Sequence, residues 1–302
     1  MSVPRLRLAP VGTCYGFAVR SEVPLAYLRG GTGDPLEIRA PATEGESPDD
    51  VLLIEWRAGP ERPLEARLWS DGRRFRLWIG DGGWFAVDPA EPRIDVPADG
   101  GIRREERLWG IPALLCFLAR GDLPLHGAAC EVDGGAVVLA APRTYGKTTM
   151  AAAFHRAGHR VLSEDTACIR LGPDAAVIPG PAMLRLRHDV ARRVELPAAR
   201  VVGEDPDRVH YALERPGDCE PVPLRAVVFL DEGDTAVLEP VEPPEALRDL
   251  WALSFRLPTE EDVGRSFAAV ADLAAAVPVL RLRRPLALDA LADHVALVAA
   301  GV

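Results

Sequence analysis

Residues 11 to 100 run in short apolar stretches, each closed by Gly, Pro or Asp: TCYGFAVRS, PLEIRA, VLLIEWRA, LEARLWS, RFRLWIG and WFAVDP. Partial alternation of apolar and polar positions reads as β-strands, and Asp71-Gly72 and Asp81-Gly82-Gly83 read as hairpin turns. Trp56, Trp69, Trp78 and Trp84 fall here, which predicts a small antiparallel domain with tryptophan as core filler. The texture then changes. REERLWGIPALLCFLARGD places Leu108, Ile111, Leu114, Leu115 and Leu118 at helical spacing, with Gly121 to end the run. From Leu123 the pattern is βαβ. LHGAACEV and AVVLAAP are strands joined at Asp133-Gly134-Gly135, KTTMAAAFHRA is a helix stopped by Gly158, and HRVLSED is a strand ending in two acids.

Further strands are predicted at MLRLR, LRAVVFLD, TAVLEPV and VPVLRLRR, with helices at 243–255, 259–274 and 286–299. The Pro/Asp/Gly-rich stretch 202–222 reads as a mobile or substrate-facing loop. The expected organisation is a β-rich N-terminal domain over 1–103, a bridging helix over 104–122 and an α/β domain over 123–302.

Composition narrows the function classes. The 302 residues are 48% hydrophobic, enough for real cores, and a net charge of −10 argues against nucleic-acid binding through the overall field. No apolar run is long enough to cross a bilayer and MSVPRLRLAP lacks a signal-peptide core, so the expectation is a cytoplasmic protein without a membrane partner. Five scattered cysteines form no C-x-x-C pair and read as buried free thiols. Asn and Gln are absent, so ligand contacts fall to backbone, hydroxyls, His, Arg and carboxylates.

One residue stands out against this background. Lys147 is the chain's only lysine; the other 34 basic residues are arginine. It lies in APRTYGKT, which follows a strand, opens a helix and matches the phosphate-loop pattern G-x-x-x-x-G-K-[ST] except for Ala141 at the first glycine. In that reading Arg143, Thr144, Tyr145, Gly146, Lys147, Thr148 and Thr149 surround nucleotide phosphates, Lys147 reaches the outer oxygens and Thr148 ligates Mg²⁺. A compact ammonium suits this role better than a planar fork. Glu164 and Asp165 end the next strand, 18 residues separating Lys147 from Asp165. One carboxylate there can hold Mg²⁺ and its neighbour can take a hydroxyl proton. His126, 21 residues before Lys147, is placed to assist.

Other candidates are weaker. Arg185 and Arg187 share a strand face, read as solvated or as an anion clamp. His155 and His159 are separated by Gly158, against a shared metal. Arg208 and His210 fall in the polar stretch.

The stretch LHGAACEVDGGAVVLAAPRTYGKTTMAAAFHRAGHRVLSED resembles the core of the HPr kinase/phosphorylase family. YGFAVRSEVPL upstream, and PGPAMLRLR, VPLRAVVFLDEGDTAVLEPV and VPVLRLRRP downstream, look like the HPr-kinase-related proteins of peptide natural-product clusters, including lasso-peptide kinases. The resemblance implies an HPr kinase/phosphoenolpyruvate carboxykinase-like P-loop domain with a mixed sheet, acting as an ATP- or GTP- and Mg²⁺-dependent kinase. The acceptor would be the serine-type hydroxyl of a peptide or small-molecule intermediate. His126, Lys147, Glu164 and Asp165 would be catalytic, and Thr148 and Asp165 would hold the metal. The family includes oligomers, so a homo-oligomer is compatible with it. The chain departs at Ala141 and at Glu164, where Asp is usual. It also lacks the glycine-rich second signature, so HPr as substrate and phosphorylase activity are not implied. A non-catalytic nucleotide-binding accessory protein, or nucleotidyl transfer at the same site, remain as alternatives.

Overall fold

The computed structural model describes residues 9–57, 64–142 and 145–302. Its first half forms an eight-stranded sheet from β1 (Gly12–Cys14), β2 (Phe17–Ser21), β3 (Asp34–Arg39), β4 (Val51–Arg57), β5 (Leu64–Ser70), β6 (Phe75–Ile79), β7 (Gly83–Asp88) and β8 (Arg93–Asp95). The strand order is β1-β2-β3-β8-β7-β6-β5-β4. Most neighbours are antiparallel, but β2–β3 and β3–β8 are parallel. TCYGFAVRS is not one strand: Tyr15 and Gly16 both take positive φ and turn it into the β1–β2 hairpin.

The tryptophan expectation holds in part: Trp69 is buried and Trp56 packs against the core, while Trp78 and Trp84 are only half-buried. Leu68, Leu77 and Phe85 face inward and are essentially inaccessible. The period-2 alternation therefore sends Trp69, Trp78 and Trp84 to the opposite face, where Trp69 stacks on Trp84 with ring centroids 5.4 Å apart. The core is filled instead by Tyr15, Phe17, Tyr27, Phe85 and Trp109, with Trp56 packed at its margin.

The predicted bridging helix is two helices, α1 (Gly101–Leu108) and α2 (Ile111–Ala119). Pro112 in the first turn of α2 lacks an N–H to continue the ladder, and it restricts Ile111 before it. The chain breaks at Gly110.

A second, mixed sheet follows. Its strands are β9 (Leu123–Val132), β10 (Gly135–Ala140), β11 (Arg160–Ser163), β12 (Thr166–Arg170), β13 (Ala176–Ile178), β17 (Val222–Glu232), β18 (Val237–Pro240) and β19 (Val279–Arg284). Between β13 and β17 lie β14 (Met183–Arg187), the short α4 (His188–Ala191), β15 (Ala199–Glu204) and β16 (Arg208–Leu213). The strands β14, β16 and β15 pair as a separate small sheet. The expected loop at 202–222 is divided: 202–204 and 208–213 are strand, joined by the Asp205-Pro206-Asp207 turn, while 214–221 lies outside the named strands.

The strands β10, β17 and β19 run parallel, with β17 between the other two. β10 is buried along its whole length, as a strand covered on both faces must be. Val137 and Leu139 pack under α3 (Lys147–Arg156) and α7 (Leu291–Gly301). Val138 and Ala140 pack under α5 (Pro243–Leu253) and α6 (Glu260–Ala276). Gly158 ends α3 as expected, with positive φ and paired bonds Gly158 N–H to His155 O and His159 N–H to Phe154 O, both 3.0 Å. His159 then stacks on Phe154 while His155 meets the Pro197 carbonyl, so the two histidines do not converge. All five cysteines are buried and unpaired by disulfides. No helix among the described residues is long and apolar enough to cross a membrane.

Arg29 ties the two sheets together. Only 2% exposed, it donates to the carbonyls of Gly180 (2.7 Å), Val161 (2.8 Å), Leu162 (3.0 Å) and Pro216. Burial lowers its pKa to about 10, and Arg160 adds to that effect. Arg29→Met leaves four carbonyls without this donor, and the expected cost is about 3 kcal/mol or more in urea denaturation. A loss below about 0.5 kcal/mol would show that the staple contributes little.

Candidate functional site

The loop after β10 and the helix α3 build the centre of the site. Gly146 is the residue before α3 and takes a left-handed conformation, φ 79° and ψ 27°, which a side chain would strain. It turns the chain so that the first-turn amides of α3 point out of the helix end. Ala141 is not among the non-glycine residues with positive φ, so a methyl group fits at the position where the pattern has glycine. It is buried in the core beneath α3. Arg143 and Thr144, both predicted phosphate-binding residues, lie outside the described residues. Lys147 is buried, and its Nζ donates to the carbonyls of Ala141 (2.7 Å) and Pro142 (3.1 Å), curling the loop around the ammonium. Tyr145 packs on the core beside α7, and Thr149 is half-buried on the first turn.

Thr148 points at the acidic pair. Its hydroxyl donates to Glu164 Oε1 at 2.9 Å, while Arg185 Nε donates to Glu164 Oε2 at 2.6 Å. Both oxygens of Glu164 are therefore engaged, and the side chain is 1% exposed. Burial pushes its pKa up; Arg185 opposes that and Asp165 adds to it. Asp165 differs in every respect. Its carboxylate is 52% exposed on the cleft wall, with Arg185 Nη2 3.8 Å from Oδ2 and His126 Nδ1 3.7 Å from Oδ1. The surrounding protein raises its pKa, but the charges of Arg185, His126, Lys147 and Arg208 outweigh this and hold it below the usual carboxylate range.

His126 and Asp165 meet because β9 pairs with β12, placing His126 opposite Thr166. Gly127 N–H donates to the Asp165 carbonyl at 3.0 Å. A Cβ on Gly127 would come within 2.9 Å of the Leu139 carbonyl, so only glycine permits this approach. The same Asp165 carbonyl lies 3.1 Å from His126 Nδ1. A carbonyl only accepts, so Nδ1–H is the donor in this contact.

Arg185 is not on a solvated face. Its side chain is 12% exposed and bridges Glu164, Asp165 and Glu106, the last reaching across from α1. Arg187, two residues on, is 68% exposed and among the described residues pairs only with Asp189. Glu106 was not singled out from sequence, and neither was Arg284, which ends β19 and donates to the Tyr145 carbonyl at 3.1 Å. Their partners lie 79 and 139 residues away. No local pattern marks them.

His126, Lys147, Thr148, Asp165, Arg185 and Arg284 line one cleft of about 1380 Å³. Gly146, Thr148 and Leu288 stand on one side, Trp56, Ile79 and Arg107 on the other. Ligand sites of this kind commonly enclose roughly 300–1000 Å³, so there is room for two ligands side by side. Asp205, His210 and Glu106 also bring one potential ligand atom each within 4.8 Å of one another. Its members are already engaged: Asp205 accepts from His210 at 2.8 Å and from the Asp207 and Arg208 amides, and Glu106 faces Arg185, while His210 Nδ1 is buried with no partner among the described residues.

No family model matches the sequence, and none of the curated proteins does. Among solved structures, the Hpr(Ser) kinase/phosphatase from Coxiella burnetii aligns with 59% of this chain and 95% of its own. The TM-score is 0.33 and the identity 11%. These comparisons assign the chain to no family.

Two outcomes follow from the charges. Arg185→Met leaves Glu106 and Glu164 buried without their counter-ion, with an expected loss of about 3–5 kcal/mol in denaturant titration, while Arg187→Ala stays within about 0.5 kcal/mol. Equal effects at the two positions would contradict the described burial. Asp205 is held at about 2: partial burial raises its pKa, but the His210 hydrogen bond and the two amides outweigh that. A depressed carboxylate stabilises the fold above its ordinary value and loses that contribution as pH falls through the folded one. Asp205→Asn is therefore expected to cost about 2 kcal/mol near neutral pH, at about 1.4 kcal/mol per pKa unit. The gap from the parent closes between about pH 4 and pH 2 in pH-dependent unfolding.

Proposed function

We propose that the protein is an ATP- and Mg²⁺-dependent kinase that transfers a phosphoryl group to a serine-type hydroxyl of a peptide or natural-product intermediate. One observation carries this reading: Lys147, Thr148, Asp165 and His126 line one cleft, with the buried Glu164 bonded to Thr148 behind it, at a loop that follows a parallel strand and opens a helix. Open α/β sheets place ligands at the carboxyl ends of their strands, and helix N-termini favour phosphate.

The donor set fits Mg²⁺. The Thr148 hydroxyl gives its proton to Glu164 and so keeps its lone pairs for a cation, and Asp165 offers an accessible, ionised oxygen. When bound, the ion neutralises charge building on the transferring phosphoryl oxygens. Lys147 and the α3 amides hold the polyphosphate. Glu164, with both oxygens engaged, orients Thr148 through its hydrogen bond. Asp165 is the better-placed proton acceptor: the acceptor oxygen bonds to the γ-phosphorus, its proton passes to the Asp165 carboxylate, the bond from the γ-phosphorus to the bridging oxygen breaks and the nucleoside diphosphate leaves. The His126 Nδ1–H faces the Asp165 backbone and carboxylate and holds that group in place. The resemblance of the 126–165 stretch to HPr kinase/phosphorylase cores points the same way, and the acceptor class comes from that resemblance.

The test is mass spectrometry of peptide and small-molecule hydroxyl acceptors incubated with Mg·ATP. The expected product gains one phosphoryl group; a gain of a nucleotidyl group would replace the kinase reading with nucleotidyl transfer. Asp165→Asn is expected to lower kcat by about 10²–10⁴-fold with nucleotide affinity retained. If Asp165→Asn and Lys147→Ala both turn over at the parent rate, the reading is wrong.

A further inference from the structure

Arg284 is the last residue of β19, at the same end of the parallel strands as the loop after β10. It is 2% exposed, and its guanidinium lies against the last turn of the loop: Nη2 donates to Tyr145 O at 3.1 Å, and a Cβ on Gly146 would come 3.0 Å from that nitrogen. Nη1 makes a longer contact to Pro285 O at 3.4 Å, and Nε is buried with no partner. Of five N–H groups, most therefore lack an acceptor.

Its charge also lacks a counter-ion. Arg281 on the same strand pairs with Glu245 and Asp249, and Arg283 with Glu239, yet no carboxylate pairs with Arg284 among the described residues. The nearby buried group is His294, whose pKa is pushed down by burial and by the charge of Arg284. Burying an unpaired cation is costly, and proteins normally place an anion beside one. Here the open direction is the cleft that Arg284 lines together with Gly146, Lys147 and Thr149.

We infer that Arg284 is a phosphate-binding residue, and that the polyphosphate of a nucleoside triphosphate supplies the anion its guanidinium lacks. The assignment rests on the reading of the loop as a nucleotide site. Lys147 provides a point charge from inside the loop; Arg284 provides a planar fork from the neighbouring strand, suited to two oxygens at once. A guanidinium serving only to tie Tyr145 to β19 would need no charge, and a neutral donor would do the same without the desolvation.

The two roles separate by sign. Arg284→Met keeps the volume and removes the charge. Without ligand, its Tm is expected to equal or exceed that of the parent. Its affinity for Mg·ATP and for magnesium tripolyphosphate, measured by calorimetry, is expected to fall at least about tenfold, a typical scale for a charge-assisted contact. Arg284→Lys is expected to recover part of that loss. A lowered Tm or failure to fold, with or without altered affinity, would make Arg284 structural and overturn the inference. So would affinities within twofold of the parent while Lys147→Ala abolishes binding; the nucleotide site would then stand without Arg284. If the parent protein binds neither probe, the nucleotide reading itself falls.

Discussion

The guanidinium of Arg185 gathers three carboxylates that would otherwise repel one another. Glu106, Glu164 and Asp165 come from a helix beside the first sheet and from the end of a strand in the second. Their mutual repulsion in a partly dehydrated cleft makes the arrangement unstable without a central cation. In return, their charges hold the Arg185 pKa above its ordinary value despite burial. Thr148 is aimed by Glu164, and Glu164 is fixed by Arg185, so the orientation of the loop's hydroxyl depends on this one residue of the small third sheet.

The two acids are neighbours in sequence and opposites in chemistry. Glu164 is inaccessible, doubly bonded and biased toward its neutral form; Asp165 is half exposed and biased toward ionisation. One extra methylene lets Glu164 span from the strand end to both Thr148 and Arg185. That places the longer residue in a supporting position and the shorter one at the cleft surface. Adjacent groups pushed apart in pKa are a common way for a site to divide its tasks.

Much of this was legible locally. Strand, turn and helix boundaries around Lys147 follow from apolar runs, Asp133-Gly134 and Gly158, because the physics that sets them acts within a few residues. The pair His126 and Asp165 was legible as a spacing, although strand pairing is what brings them together. Three things were hidden. Arg185 and Arg187 look identical in sequence, and only the approach of Glu106 from α1 and of Glu164 and Asp165 between β11 and β12 encloses one of them. Trp69, Trp78 and Trp84 could be assigned to strands but not to a face, since each lies beside an equally apolar residue. Glu106 and Arg284 carry no motif, as their contacts depend on how distant elements stack. In the segment 202–222, Pro and Asp residues mask the short strand around Val209 and Tyr211, while 214–221 is irregular as its composition suggests.

The staple formed by Arg29 bears on how such a protein can change over generations. Its four acceptors are main-chain carbonyls, which no substitution in the second half can remove or re-charge. The cleft wall built by the first sheet can thus vary its side chains, at Trp56 or Ile79 for instance, while the docking of the two halves stays constant. Exchange of whole halves between relatives is compatible only where the incoming first sheet brings an arginine at the same place. Variation in what the cleft accepts is therefore expected to proceed residue by residue along its walls, with the seam between the halves inherited as a unit.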